Sequence, residues 1–214
     1  MLSFAEEIIL IALDEERGDF ARLPDGELAV ALVGAVLLEL TFLNRIDVDN
    51  KNLLLVDETP TGSAVLDASL EIMKASPKEN TTSYWLHRLA GQANAIRQEA
   101  LEQLVRKGVL RRAESKVFWI FPTKRYPALD NREIKAVEAR LRELILGDDI
   151  PDPRDAVLIS LINACRLFRY LFSAAELERV RPRINDLARL DLIGQSVVRS
   201  LRDLEAVLSL PLGL

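Results

Sequence analysis

The fold is decided by residues 2–46, which begin LSFAEEIILIALDEERG (2–18) and end LAVALVGAVLLELTFLNRI (28–46). Within residues 28–43 only Gly34, Glu39 and Thr41 interrupt a run of apolar side chains. This run is too short and too interrupted for a transmembrane helix, which needs about 20 residues with few or no charges. A helix that is apolar on all sides is normally buried in a protein core. We therefore predict that it is the central helix of a helical domain.

The composition is that of an ordinary soluble globular protein, with 49% apolar and 29% charged residues. The single cysteine, Cys165, excludes an internal disulfide, and no secretory signal follows Met1. We expect one domain over residues 1–214. We also expect a cytoplasmic protein, which could sit peripherally on the cytoplasmic face of a membrane.

The charge is distributed unevenly along the chain, whose net charge is −5. Nine Lys or Arg residues and only three Glu residues lie in the segment 88–125, so this segment carries +6 and the remainder −11. Such an asymmetry suggests a basic face for an anionic partner, although a solvated helix face followed by a hairpin gives the same pattern. The acidic balance of the whole chain argues against nucleic acid as the partner.

Local signals predict a mainly α protein with two short β-hairpins. Ser3 and Glu6 form a capping-box pattern for a first helix that runs to about residue 13. In the first half we further predict a long helix over 27–44, a hairpin over 45–49 and 52–56, a helix over 63–75, a polar linker over 76–80, and a short helix to residue 89 capped by Thr81 or Thr82.

The second predicted hairpin is the protruding one. Asn94 is the expected cap of a helix over 95–107, Gly108 its stop, and the strands are expected at 109–112 and 117–121 around a turn at 113–116. Residues 117–121 are all apolar, which implies burial on both faces of the strand, against the core and against another subunit. The candidate oligomerisation residues are therefore Val117, Trp119 and Phe121.

The rest of the chain is predicted to be helical. The elements that we expect are a charged helix capped by Asp130 or Asn131 and ending near residue 146, a linker over 147–153, a second buried helix over 155–172, a helix over 174–190 that Pro182 could kink or split, and a last helix over 193–208.

No combination of residues indicates catalysis, a metal site or a cofactor. His87 is the only histidine, and we interpret it as structural because it has no second histidine or cysteine cluster nearby. Cys165 lies in an apolar helix, where a free cysteine usually acts as a small hydrophobe. Glu39 interrupts the central helix, and we expect an arginine from another helix to pair with it. We therefore expect no enzymatic activity.

Residues 94–122 also have the outline of a winged-helix DNA reader, in which a helix is followed by a basic hairpin. The outward face of that helix carries Gln98, Glu99, Glu102 and Gln103, which suits phosphates poorly. Besides binding an anionic partner, the alternatives for this chain are thus an oligomeric protein–protein scaffold and a DNA-binding regulator.

Five blocks in this order resemble the Golgi phosphoprotein 3 family. They are LSFAEEIILIALDEERG (2–18), LVGAVLLELTFLNRI (32–46), TPTGSAVLDASLEIMKAS (59–76), IRQEALEQLVRKGVLRRAESKVFWIF (96–121) and DPRDAVLISLINAC (152–165). The resemblance implies a helical domain around a central hydrophobic helix, with a projecting hairpin that contributes to oligomers and no enzymatic activity. It also implies a compact, prokaryotic relative, because the chain begins at the first helix without the polar N-terminal extension of eukaryotic members.

The resemblance further implies a ligand and partners. Eukaryotic members bind phosphatidylinositol 4-phosphate on a basic surface and recruit cytoplasmic tails of membrane proteins. Their tryptophan and first arginine correspond to Pro24 and Val33 here, and their arginine pair to Asn94 and Arg97. The candidate headgroup-binding residues are therefore Arg97 and Asn94, and only Arg97 keeps the family's residue type. We predict a peripheral membrane adaptor that binds anionic phospholipid or phosphoinositide headgroups.

Overall fold

The computed structural model describes residues 1–20, 25–49, 52–76, 79–117, 121–191 and 197–201. In these ranges the protein is mainly α-helical, which confirms the predicted fold class. In chain order the elements are α1 (Phe4–Ala12), α2 (Asp25–Phe42), β1 (Ile46–Asp49), β2 (Asn52–Leu55), α3 (Ala64–Lys74), β3 (Glu79–Thr81), α4 (Thr82–Leu89), α5 (Ala93–Arg106), β4 (Ala113–Val117), β5 (Phe121–Arg125), α6 (Arg132–Leu146), α7 (Pro153–Ala164) and α8 (Ala174–Arg189), with residues 197–201 also helical.

Helix α1 begins with the predicted capping box. Ser3 Oγ accepts a hydrogen bond from the Glu6 amide at 3.2 Å, and Glu6 Oε2 accepts one from the Ser3 amide at 2.6 Å. A third amide of the first turn, that of Phe4, donates to Glu39 Oε2 of α2 at 2.8 Å. The orphan donors of this helix end are thus satisfied partly by α1 itself and partly by the central helix.

Helix α2 is the central helix that the apolar run predicts. Every residue from 31 to 38 is buried, and the helix packs against α1, α3, α4, α5 and α7. Gly34 permits a close approach to this helix, because a Cβ there would lie 2.7 Å from Leu201 Cδ1 and 3.1 Å from Leu161 Cδ1. Among the described residues, no helix combines the length and the apolar character that crossing a bilayer requires.

The first hairpin is confirmed, and a third strand extends it. β1 pairs antiparallel with β2, and β2 pairs on its other side with β3, where Asn52 lies opposite Thr81. We predicted a linker at the position of β3. The three residues of β3 are polar and carry no apolar alternation, so backbone pairing with β2 forms this strand without a side-chain signal.

Helices α4 and α5 follow each other almost without a break. Thr81 caps α4 as predicted, since its Oγ1 accepts a hydrogen bond from the Tyr84 amide at 3.2 Å. The predicted cap of α5 is wrong: Gln92 precedes α5 in a helical conformation, and Asn94 lies within its first turn. A 3₁₀ turn over 90–92 continues α4 into α5, so the chain never adopts the extended conformation of a typical N-cap. Gly108 has φ +72° just beyond the helix, as expected.

The second hairpin exists, but its predicted register is wrong. The predicted turn residues 113–116 belong to β4, which pairs antiparallel with β5 from Ala113 opposite Arg125 to Val117 opposite Phe121. Val109 and Leu110 are buried at the base instead: the Val109 amide donates to Leu104 O, and Leu110 forms a bridge with Ala128. Because residues 109 and 110 are anchored at the base, the strands begin later in the sequence than predicted. The described parts of β4 and β5 pair only with each other.

The C-terminal half contains the second buried helix, which is shorter than predicted. Residues 155–162 of α7 are all buried, but α7 ends at Ala164. Arg166 then adopts a left-handed φ of +53°, and a separate 3₁₀ turn covers 167–170. Helix α8 remains continuous through Pro182, so this proline does not split it. Of the predicted last helix, only 197–201 lies inside the described residues, and it is helical there.

Candidate headgroup site and its surroundings

Arg97 and Asn94 lie on the same side of α5, one helical turn apart. Asn94 is exposed and Arg97 is half-buried. The Arg97 guanidinium stacks on an aromatic ring, with Cζ 4.4 Å from the centroid of Phe20. Such stacking is favourable by itself and orients the planar N–H fork of the arginine. The structure therefore holds Arg97 in a defined position.

Phe20 belongs to the loop between α1 and α2, which packs against the base of the second hairpin. Gly18 of this loop has φ +66°, and its carbonyl accepts a hydrogen bond from the Tyr126 amide at 2.9 Å. A Cβ at Gly18 would lie 2.2 Å from the backbone nitrogen of Pro127, so only glycine fits. The loop, Arg97 and the hairpin base thus form one local structure that sequence reasoning missed.

Much of the charge of the basic segment is neutralised by ion pairs. Arg106 pairs with Glu99 at 2.6 Å, and Arg112 pairs with Glu102, within the segment itself. Two further pairs use carboxylates from outside it, Lys107 with Glu6 at 2.7 Å and Arg125 with Asp19 at 3.8 Å. Arg88 and Arg111 are exposed. The basic face is therefore weaker than the count of Lys and Arg residues suggests.

Glu102 is the centre of a polar cluster that ties α5 to the hairpin base. Gln98 Nε2 donates to Tyr126 Oη at 2.7 Å and to Glu102 Oε1 at 2.9 Å, while Arg112 donates to Glu102 Oε2. The hydrogen bond from Arg112 holds the pKa of Glu102 below its ordinary value. This face of α5 presents carboxylates and amides, which gives no support to a DNA-reading helix.

Comparison with known proteins agrees with this architecture. A family model described as Golgi phosphoprotein 3 matches residues 4–204. The chain belongs to the Golgi phosphoprotein 3 family. A curated relative is the vacuolar protein sorting-associated protein 74 of Eremothecium gossypii, 28% identical over 170 residues, which is 70% of this chain and 50% of the relative. The chain thus spans about half the length of the curated relative that it matches.

Membership of the Golgi phosphoprotein 3 family confirms the resemblance drawn from the five sequence blocks. It is a family of phosphatidylinositol 4-phosphate-binding adaptors of the Golgi and is not an enzyme family. Of the transferred pocket positions, Val33 is only 2% exposed in α2 and cannot reach a headgroup, and Pro24 lies outside the described residues. Arg97 and Asn94 are the two transferred positions that α5 keeps near the surface.

Two of the three candidate oligomerisation residues, Val117 and Phe121, belong to the described strands of the second hairpin. Val117 and Phe121 are opposite each other in the last described pair of the β4–β5 ladder. Trp119 lies outside the described residues. Their role in an oligomer remains a prediction.

We predicted structural roles for His87 and Cys165, and each has an ordinary environment in the fold. His87 is exposed, and its Nδ1 lies 2.8 Å from Ser83 O of the same helix. Cys165 is buried beyond the end of α7. In the part of the chain that the structure describes, no three His, Cys, Asp or Glu side chains group as metal ligands.

Glu39 has the arginine partner that we expected. Arg154 of α7 pairs with Glu39 at 3.4 Å and lies 4.0 Å from Glu7 of α1, which also pairs with Arg140 of α6. Arg140 pairs in turn with Asp155 at 3.4 Å. We call these five residues the buried charge layer. Burial raises the pKa of Glu7, against the opposing effect of the two arginines. The layer connects four helices.

Proposed function

We propose that this protein is a peripheral membrane adaptor that binds anionic lipid headgroups through the surface around Arg97. The observation that carries the proposal is family membership over residues 4–204. Phosphatidylinositol 4-phosphate is the expected phosphoinositide, and cytoplasmic tails of membrane proteins are the expected cargo. The hairpin residues Val117, Trp119 and Phe121 would contribute to an oligomer.

The geometry around Arg97 supports a phosphate-binding role. Stacking on Phe20 occupies a face of the guanidinium, whereas its N–H donors lie in the plane and suit a phosphate bidentately. Asn94 lies one turn earlier, and its side-chain amide can donate a further hydrogen bond. Both residues belong to the first two turns of α5.

The same geometry predicts modest selectivity for phosphatidylinositol 4-phosphate. Two of the family's basic positions are occupied here by Asn94 and the buried Val33, so fewer charged donors can surround a phosphate monoester. Attraction to an anionic membrane requires only basic side chains near the surface, at about 1 kcal/mol for each. We therefore expect binding to phosphatidylserine as well as to phosphatidylinositol 4-phosphate.

Liposome flotation tests the proposal. Neutral phosphatidylcholine vesicles are compared at low salt with vesicles that also contain phosphatidylserine or phosphatidylinositol 4-phosphate. We expect binding only to the anionic vesicles, and we expect Arg97→Ala to weaken it about fivefold, which corresponds to about 1 kcal/mol. Arg97→Lys keeps the charge but loses the planar fork, so it should retain phosphatidylserine binding better than phosphatidylinositol 4-phosphate binding.

The matched control is Arg179→Ala, which removes an exposed arginine of α8 and should leave flotation unchanged. Absence of binding to any anionic vesicle at low salt would refute the lipid proposal. Unchanged binding by Arg97→Ala, with binding of the parent protein intact, would refute the site but not the activity.

A further inference from the structure

Arg125 lies at the base of the second hairpin, beside the loop that carries the aromatic platform of Arg97. Its Nη2 is 3.8 Å from Asp19 Oδ2. Asp19 immediately precedes Phe20, whose ring centroid lies 4.4 Å from Arg97 Cζ. Two consecutive residues of the loop between α1 and α2 thus contact one arginine each.

A further contact joins α5 to the hairpin base next to these two arginines. Gln98 directly follows Arg97 in α5, and its Nε2 donates to Tyr126 Oη at 2.7 Å. Tyr126 directly follows Arg125. The backbone segments that carry Arg97 and Arg125 are therefore bridged by one pair of side chains as well as by the loop.

Among the described residues, Arg125 makes the longest ion pair of the basic segment. Arg106 and Lys107 approach their carboxylates to 2.6 Å and 2.7 Å, and Arg112 donates a hydrogen bond to its partner. A separation of 3.8 Å exceeds the length of a charge-assisted hydrogen bond, which is about 2.7–2.9 Å. Asp19 therefore attracts Arg125 without accepting a hydrogen bond from it, and a ligand can replace this contact at little cost.

The polar end of Arg125 can be reached from solvent. The side chains of Arg125 and Asp19 are 32% and 28% exposed, and Arg97 is half-buried. Because Arg125 Nε is buried, the N–H groups that Arg125 exposes belong to its terminal nitrogens, Nη1 and Nη2. These nitrogens form the outer end of the guanidinium fork, which is the part that binds a phosphate.

We propose that Arg125 is a second arginine of the phosphate-binding site and that it binds the same phosphate monoester as Arg97. Without ligand, Asp19 neutralises Arg125. A phosphate monoester carries about −1.5 to −2 charges at neutral pH, so it displaces the single carboxylate as the partner of Arg125. This inference rests on the proposed function, and it supplies a cation that Asn94 and Val33 do not.

Vesicles that differ by one phosphate group test the inference. Phosphatidylcholine vesicles contain either phosphatidylinositol or phosphatidylinositol 4-phosphate, and flotation at low salt gives the ratio of the two affinities. Arg125→Ala should weaken binding to phosphatidylinositol 4-phosphate about tenfold, as expected when a charge-assisted hydrogen bond is lost. It should weaken binding to phosphatidylinositol about fivefold or less, because only general attraction is lost there.

Arg125→Lys separates the shape of the side chain from its charge. The lysine keeps the positive charge but lacks the planar fork. Binding to phosphatidylinositol should therefore stay unchanged, while the preference for phosphatidylinositol 4-phosphate should fall. A residue that only adds charge to the surface would show no such fall.

Asp19→Asn tests whether the carboxylate competes with the phosphate. Its removal releases Arg125, so binding to phosphatidylinositol 4-phosphate should strengthen about fivefold. The gain should be smaller in the Arg125→Ala background, which has no arginine to release. The matched controls are Arg189→Ala and Asp186→Asn, which break an exposed ion pair of α8 and should leave the ratio of affinities unchanged.

A soluble headgroup separates phosphate binding from membrane binding. Inositol 1,4-bisphosphate is titrated into the full chain, and protein-observed NMR should show amide shifts at Asp19, Phe20 and Tyr126 that Arg125→Ala abolishes. If the parent protein binds no vesicle but shows these shifts, the phosphate site stands and the lipid proposal fails. If it shows neither, both fail.

An unchanged ratio of affinities in Arg125→Ala and Arg125→Lys, with the parent protein still bound to vesicles and Arg97→Ala weakened, would refute the role of Arg125 alone. The proposed function would then stand on Arg97. If Arg125→Ala fails to fold, Arg125→Lys and Asp19→Asn decide, because an unchanged ratio in both contradicts the inference.

Discussion

Two sets of ion pairs in this protein use the same residue types in different surroundings. In the buried charge layer, Arg154 and Glu39 are only 17% and 18% exposed. At the hairpin base, Arg112 is 65% exposed, although its partner Glu102 is only 15% exposed, so the two sets differ in the exposure of their arginines. Charges are stabilised by water at the surface, whereas below it they depend on protein partners. We therefore expect the first set of ion pairs to hold helices together. In the second set, we expect the polar groups to be able to exchange their protein partners for a ligand.

The number of partners of each arginine follows the same division. Arg154 contacts two carboxylates, donates to Leu2 O at 2.7 Å, and stacks 4.0 Å from the Phe4 ring centroid. For Arg112 the described contacts are those with Glu102. A buried arginine thus needs a complete set of contacts to offset its desolvation, while an exposed one does not.

The largest expected effect is that of Arg154→Met. This change keeps the packing over Phe4 but removes the arginine that pairs with Glu39 and Glu7 and that donates to the Leu2 carbonyl, so the free energy of unfolding should fall by about 3 kcal/mol. Urea denaturation followed by circular dichroism measures it. The matched change at the surface, Arg112→Met, should cost at most about 1 kcal/mol. Equal losses for the two variants would contradict the comparison.

Gly18→Ala should have the next largest effect, because it forces apart the loop and the hairpin base. The new Cβ would meet the backbone of Tyr126 and Pro127 at a residue with positive φ, so we expect a loss of about 2 kcal/mol or more in thermal unfolding.

Gly108→Ala is the control for Gly18→Ala. Gly108 also has positive φ, but a Cβ there would meet nothing within 4 Å. Only the backbone strain remains, which costs about 1 kcal/mol. If both variants lose the same stability, close packing at Gly18 contributes nothing.

The smallest expected effects concern how stability depends on pH, which should differ between the buried charge layer and the hairpin base. Burial raises the pKa of Glu7 above its ordinary value of 4.5. The protonated side chain therefore stabilises the folded state below that pH, and this stabilisation is lost as the pH rises through the raised pKa. Arg112 lowers the pKa of Glu102 below 4.5, so its contribution is present above that pH and is lost as the pH falls through the lowered pKa.

Glu7→Gln should therefore be most destabilising in acid, and Glu102→Gln most destabilising near neutral pH. Urea denaturation of the parent protein and both variants between pH 3 and pH 7 checks this. Parallel pH profiles for the two variants would show that burial does not separate the two carboxylates.

The strongest elements of the fold could be predicted from sequence because their signals are local. The capping box at Ser3 and the apolar run of α2 lie within single helices, and both are confirmed. Strand β3 and the register of β4 and β5 depend on pairing with distant backbone. The polar residues of β3 carry no pattern, and the burial of Val109 and Leu110 follows from the position of α5.

The buried charge layer and the candidate site were predictable to a similar extent. A carboxylate inside an apolar helix implies a cationic partner, so the pairing of Glu39 with an arginine was expected, although its identity as Arg154 was not. The Phe20 platform under Arg97 could not be inferred, because the two residues are brought together only by the loop between α1 and α2. A glycine at the end of an acidic turn, Gly18, was the one available hint of close packing there.

The contact between Gly34 and Leu201 also determines when the central helix can be fully covered during synthesis on the ribosome. The side of the central helix at Gly34 is covered by a residue that is translated about 170 residues later, which takes about 10 to 30 s at the usual rate of elongation. During that interval the long apolar helix α2 has emerged without its final cover. We therefore expect chaperones, or provisional contacts among the earlier helices, to cover this side of α2 until translation is nearly complete.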